Sequence, residues 1–426
     1  MSRTESNKLA GEEIFEVFYA PHKAFKKIVQ NAKFLGPIII LIIFVVAQVG
    51  ASYVVASKSY LEQTVPTNDQ GDIWTQDSAL WVVTPNGTVT NNYVDYINSS
   101  SLYLNTTSLE FRANSNTMEM FLSNLGKSVD CSANGYQNLS IRVKVLSPNV
   151  VPQNVTLTLI SLSPAINFAY DLTPAFSNTT IAEQRYWNNI TVPLNTNAWT
   201  ASNSGASWSN ITGLKVNFAW PSSSSASIDL LVDGLFFRGI YESSIDVYGS
   251  SILLSQALSA ATPFLFQWLL LTGLMYLLIK GLKGTVIWKP LMVAVGFSLI
   301  VLVVQSLILL VVYSTSLPNI SYPVEILAGI PGEADLAYTA VNSTIAQVLN
   351  IGSIVQIVIY IWIIALGTFI VREVTTLAPA TSPIGTPEPE GEPTLGPQQF
   401  GWLKCLLVSA AAFVLTVTIL GFLGLG

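Results

Sequence analysis

Histidine is almost missing from this chain of 426 residues: there is one, His22. A Ser-His-Asp or Cys-His arrangement away from that position is excluded, and so is a histidine-based zinc site. Cysteine is nearly as scarce. Cys131 and Cys405 are the only two, and the topology derived below puts them on opposite sides of a membrane, so they cannot pair. Any large domain must then rest on its own core. Charge is scarce as well: 10% of residues are Asp, Glu, Lys or Arg, against about 25% in a soluble domain. The net charge of -6 argues against nucleic acid as a partner. No G-x-x-x-x-G-K-[ST] phosphate loop occurs.

The charge deficit is concentrated in five runs without Asp, Glu, Lys or Arg, each long enough to cross a bilayer. The first is Phe34 to Ala56, read as an uncleaved signal-anchor because its apolar run is too long for a signal peptide. The second ends at Ile279, the third runs from Pro290 to Ser314, the fourth from Ile351 to Val371, and the last starts at Leu406. With no water to satisfy their backbones in lipid, these runs are expected to be helices. The predicted organisation is a cytosolic amphipathic pre-helix at 1–33, a span at 34–56, a β-sandwich at 57–250, and spans two to four at 251–371 with an external loop at 315–350. A Pro/Glu-rich cytosolic linker at 372–404 and a fifth span at 405–426 complete it.

Lys and Arg set the orientation. Arg3, Lys8, Lys23, Lys26, Lys27 and Lys33 precede the first span, Lys280, Lys283 and Lys289 lie between spans two and three, and Arg372 and Lys404 flank the last internal loop. The positive-inside rule puts all of these in the cytoplasm, with the N-terminus, and puts residues 57–250 and the C-terminus outside the cell. The ten N-x-S/T sequons agree. Asn86, Asn98, Asn105, Asn138, Asn154, Asn178, Asn189 and Asn210 follow the first span, and Asn319 and Asn342 follow the third. All are on the predicted outer side, so glycosylation is expected there. A sequon-rich surface domain without disulfides suits an archaeal cell surface. The pre-helix places Phe25, Ile28, Val29 and Ala32 on one face and lysines on the other, which suits the inner leaflet.

Between the first two spans the pattern changes to period two. LSIRVKVL puts Leu139, Ile141, Val143 and Val145 on one face, and VTLTLISL repeats this with Val155, Leu157 and Leu159. INFAYDL, ITVPL, LKVNFAW and IDLLVDGLFFRG follow, separated by Pro, Gly, Asn and Ser. Short strands at regular spacing predict an all-β sandwich. The fold class expected is therefore an α-helical polytopic membrane domain of five helices plus an all-β jelly-roll ectodomain.

Two resemblances follow. APHKAFKKI before the first span, Gly36-Pro37 opening it, and GLKGTVIWKPLMVAVGFSLI between spans two and three resemble the Yip family of five-span membrane proteins. The resemblance implies a membrane-organising role, exercised in eukaryotic relatives through small GTPases. YQNLSIRVKVLSP, RYWNNITVPL, WSNITGLKVNFAW and IDLLVDGLFFRG resemble the galactose-binding-like jelly-roll of carbohydrate-binding modules. That implies the fold, and glycan as one ligand class.

Aromatic faces stack on sugar C–H faces, so Trp199, Tyr170, Tyr186 and Trp220 are the glycan-binding candidates. Trp199, in the loop LNTNAWTASNSG, is expected to be exposed, whereas Trp187 and Trp208 begin strands and are expected to be structural. No cofactor is expected, apart from a structural Ca²⁺ open to Asp229 and Asp233. The surface acids Glu110, Glu119, Asp130, Asp171, Glu183, Asp229 and Asp233 show no glycosidase spacing. The spans hold no ionisable residue, which argues against proton-coupled transport. They do hold Gln48, Gln267, Gln305 and Gln356, expected to join helices as one polar cluster.

The expected function is non-enzymatic. The sandwich binds surface glycan, S-layer or another envelope protein, and the helices anchor it in the lipid bilayer, with homo-oligomerisation open to them. A transport or channel component with a solute-capturing domain, and an envelope glycan-modifying enzyme, are the alternatives.

Overall fold

The charge-free runs become helices. Five are long and apolar enough to cross a membrane: Leu35–Lys58, Ser251–Gly281, Trp288–Ser316, Glu333–Thr376 and Trp402–Phe422. The computed structural model describes residues 12–67, 69–97, 106–222, 227–326, 332–376 and 400–425. The sequons Asn98 and Asn105 and the Pro/Glu-rich stretch at 377–399 lie outside the described residues. The third span is two helices, Trp288–Ser298 and Ile300–Ser316, which meet at Leu299. The fourth begins at Glu333, far ahead of the apolar run that opens at Ile351. Glu333 and Asp335 in its first turn favour that start by their charge at the positive end of the helix dipole.

The chain divides into two compact units. One comprises Met1–Lys58, Ser244–Pro318 and Ile345–Gly426; the other comprises Ser59–Ser243 and Asn319–Thr344. In the helical unit, close packing depends on small residues, as in membrane bundles generally. A side chain at Gly367 would begin 2.2 Å from the Ser409 hydroxyl, which donates to the Ile364 carbonyl at 2.8 Å. Lys58, ending the first span, donates to the carbonyls of Tyr313, Ser314 and Leu317 at 2.8–3.0 Å and so caps the third. The amphipathic helix Pro21–Gln30 buries Ala24, Phe25, Ile28 and Val29 in the core of this unit and leaves Lys23 and Lys26 exposed.

The second unit is a two-sheet β-sandwich. One sheet runs Thr200–Ala201, Ser163–Asp171, Asn154–Ser161, Ile211–Ala219, Thr117–Leu122, Trp81–Thr84, all antiparallel. The other is organised by the 16-residue strand Ile228–Ser243. On one side this strand pairs first with Ser108–Ala113 and then with Ser59–Val65; on the other it pairs with Asn138–Ser147. The inward faces interdigitate through Phe111, Met120, Leu157, Val216, Phe218 and Phe237. Each such fully buried side chain contributes about 1.5–3 kcal/mol.

The segment at 319–344 is part of this sandwich. Ile320–Tyr322 adds a parallel strand beside Ser59–Leu61. Val324 packs with Ile97 and Phe236 on the outer face of the sheet, with Trp187 against them. The long central strand is therefore covered on both faces, which explains why its apolar run barely alternates.

Candidate functional site

The outer face of that sheet carries a buried polar network. Arg238 directs Nε and Nη2 at the two oxygens of Glu62, at 2.9 and 2.8 Å. It also takes Glu325, with Nη2 at 2.7 Å from one oxygen and Nη1 on the other. Glu62 additionally accepts from the Val324 amide at 2.9 Å. Burial pushes Glu325 up, but the hydrogen bond and charge of Arg238 outweigh it and hold the carboxyl below the ordinary glutamate range. Arg142 is 0% exposed, and its Nη2 lies 3.2 Å from Glu333. Two arginines of the sandwich thus hold two glutamates of the segment at 319–344.

Asp233 sits in the same layer, where the central strand bulges between Asp233 and Phe236. Its oxygens accept from the Ile97 and Gly234 amides at 2.9 and 2.8 Å. Burial, then the hydrogen bond and charge of Asp72, push its carboxyl well above the usual aspartate range. Burial beside a second carboxyl thus favours the protonated form of Asp233.

The aspartates proposed for Ca²⁺ do not converge. Asp229 pairs with Arg112, Nε to Oδ2 at 3.2 Å, while Asp233 is committed to Asp72 and two amides. Among the described residues no group of three His, Cys, Asp or Glu is placed to hold a metal. These two side chains do not fit a shared cation.

The glycan candidates separate. Trp199 is 8% exposed, contrary to the expectation for a loop tryptophan. Its Nε1 donates to the Pro193 carbonyl at 2.8 Å, and its ring packs on Tyr170 and Trp208 at 5.0 and 5.4 Å. The loop folds back and Trp199 closes the core. Trp220 is buried too, stacked on Phe218 at 5.4 Å with Nε1 on the Val150 carbonyl. Trp208 stacks on Phe168 at 4.0 Å. Tyr186 is 73% exposed. Tyr170 is half-buried and lines an open groove of about 750 Å³ with Gln153, Asn154 and Asp171. Asn154 is itself a sequon, so a glycan attached there would occupy that groove.

A second cleft, of about 320 Å³, was not visible in the sequence. Val65, Pro66, Ile73, Trp74 and Leu80 form an apolar floor, and Ile73 is 45% exposed. Gln70, Asn124 and Lys127 stand around it. The Gln70 carbonyl oxygen accepts from Thr67 and the Asn124 carbonyl oxygen from Gly126, so each amide nitrogen remains a donor, and Lys127 lines the same cleft. The only advance signal was Trp74 in a turn-rich stretch.

Sequons Asn86, Asn154, Asn178, Asn319 and Asn342 are exposed, while Asn138, Asn189 and Asn210 are half-buried. The membrane glutamines do not form the expected cluster. Gln48, Gln267 and Gln305 are half-buried, and Gln356 donates to Tyr360 on its own helix at 2.5 Å. None of the four is hydrogen-bonded to another. Other side chains bridge the helices, among them Ser52, which donates to Gln256 at 3.4 Å.

No protein-family profile matches the chain, and no curated protein does. Among the solved structures similar in part is one of carbohydrate-binding modules from the β-sandwich superfamily, described for their promiscuous specificity. The likeness has a TM-score of 0.22 and 12% identity, and covers 38% of this chain and 57% of that one. The chain thus spans little more than half of that module, and a likeness at this level carries no argument about ligand.

Proposed function

We propose that this is a non-enzymatic, Yip-type membrane protein that presents a glycosylated β-sandwich outside the cell to bind an acidic envelope glycan. The observation that carries the reading is the 320 Å³ cleft, where three hydrogen-bond donors, Gln70, Asn124 and Lys127, surround an apolar floor. Sugar rings present apolar C–H faces and acceptor oxygens, and a carboxylate-bearing sugar gives Lys127 a charged partner. Amides and a lysine in place of paired carboxylates fit binding rather than hydrolysis. The Yip-type assignment of the helices rests on APHKAFKKI, Gly36-Pro37 and the Gly281–Ile300 stretch. The orientation rests on the distribution of lysine, arginine and sequons.

The test is array binding by the whole chain in detergent, because a fragment ending near Ser250 would lack the strand Ile320–Tyr322 and both Glu325 and Glu333. Binding is expected to favour acidic over neutral glycans. It should fall about tenfold or more in Lys127→Ala, as for loss of a charged hydrogen bond, and stay unchanged in Tyr170→Ala. No binding by folded protein would sink the glycan reading. Loss in Tyr170→Ala alone would move the site to the groove beside Asn154.

A further inference from the structure

At the basic end of the helical unit, the turn after the second span carries an unusual residue. The helix Ser251–Gly281 ends in a Schellman motif: the Lys283 amide donates to the Lys280 carbonyl and the Gly284 amide to the Ile279 carbonyl, at 2.9 and 2.8 Å. That motif needs one left-handed residue, usually glycine. Here it is Lys283, at φ +63. Two glycines flank it, yet neither takes the position. A lysine at a position where glycine would be unstrained directs attention to its charge.

Gly284 is needed elsewhere. A Cβ there would lie 2.7 Å from the Phe400 ring, so the turn sits directly against the residues that open the fifth span. Lys404 lies over the Phe400 ring at 4.6 Å and Arg372 over the Trp402 ring at 3.8 Å. On the turn itself, Lys280 stands 5.9 Å from the Tyr276 ring, and Tyr276 packs edge-on to Trp288. Among the described residues, Lys280, Arg372 and Lys404 are backed by aromatic faces, and no carboxylate is within ion-pair distance of them. The neighbouring Glu373 is taken by His22, at 2.8 Å. Trp288 and Trp402 are 43% and 49% exposed at span ends, the depth at which tryptophan meets lipid headgroups.

We propose that Lys280, Lys283, Arg372 and Lys404 form a binding site for the phosphate of an anionic phospholipid headgroup. The turn after the second span meets the start of the fifth at Gly284 and Phe400, and Arg372 of the fourth lies over Trp402 of the fifth, so the ends that carry these cations meet at one end of the helical unit. A lipid fits better than a soluble phosphate compound because the site adjoins apolar span surface, including exposed Leu282 and Leu403, which gives acyl chains a place to lie.

The experiment uses the full chain in detergent, titrated with phosphatidylglycerol or phosphatidylcholine and read by native mass spectrometry. The wild type is expected to retain the anionic lipid preferentially. Each lysine removed should weaken retention about fivefold, so Lys283→Gln with Lys404→Gln should lose about 25-fold. Lys283→Gly separates this from damage to the fold: it relieves the left-handed position, so thermal stability should hold or rise while anionic retention falls. Equal retention of both lipids by the wild type would overturn the proposal. So would unchanged selectivity in the variants, or displacement of the lipid by glycerol phosphate at the same concentration, which would mean a soluble-anion site.

Discussion

Replacing Arg238 by Met is the sharpest perturbation of the sandwich. Its guanidinium is bonded to both Glu62 and Glu325, and Glu62 is 4% exposed. Met fills much of the volume but leaves one carboxylate fully buried and a second largely so. Removing one partner from a buried ion pair costs about 3–5 kcal/mol. For a unit of this size that corresponds to a fall in melting temperature of about 10 °C. Tryptophan fluorescence of the full chain during thermal unfolding gives the readout, since Trp74 packs edge-on to Phe237, next to Arg238. Glu62→Gln should cost more than Glu325→Gln, because Glu62 is the more buried and also holds the Val324 amide. Glu325 is held below its ordinary range, so its contribution is complete above that range and is lost as pH falls through the depressed value. The Arg238→Met penalty should shrink in acid accordingly. A variant melting within about 2 °C of wild type at neutral pH would refute the reasoning.

The Asp72–Asp233 pair predicts the opposite pH dependence. A raised carboxyl in the folded state gives stability that is present below the ordinary aspartate range and lost as pH rises through the raised value. Asp72→Asn removes the charge beside Asp233 and offers it an amide donor, so urea unfolding should show a gain of about 1–2 kcal/mol at mildly alkaline pH and little change in acid. Trp199→Ala should act as a core truncation, costing about 3–5 kcal/mol in the same urea assay. A loss of glycan binding with stability intact would mean that Trp199 is a contact residue after all.

The spans and the strands were legible because each has one dominant signal. Uncharged runs mark the first, and period-two segments such as Leu139 to Leu146 and Val155 to Leu162 mark the second. The residues 315–350 read as a loop because they lack both signals. EADLAYTAVNSTIAQVLN is helical without being apolar, and Ile320–Tyr322 is too short to show a period. The same gap hid the covered outer face of the sheet. Arg142, between Ile141 and Val143, falls on the polar side of its strand and reads as solvent-facing. Only the near-continuous apolar stretch around Leu231 to Phe237 hinted at a second covering layer. The burial of Trp199 is not legible in the sequence because the loop's return path depends on its hydrogen bond to Pro193, which spacing does not encode.

The division of the sandwich into Ser59–Ser243 and Asn319–Thr344 sets a schedule for biogenesis. When residue 243 leaves the ribosome, Arg142 and Arg238 have emerged but Glu325 and Glu333 have not yet been synthesised. At roughly 5–20 residues per second, the intervening stretch takes several seconds and includes the insertion of two spans. Until then the nascent domain presents buried-type arginines and an open sheet edge beside Ser59–Leu61. A failed insertion of either helix would therefore register as an unfinished sandwich, giving quality control a readout of membrane assembly.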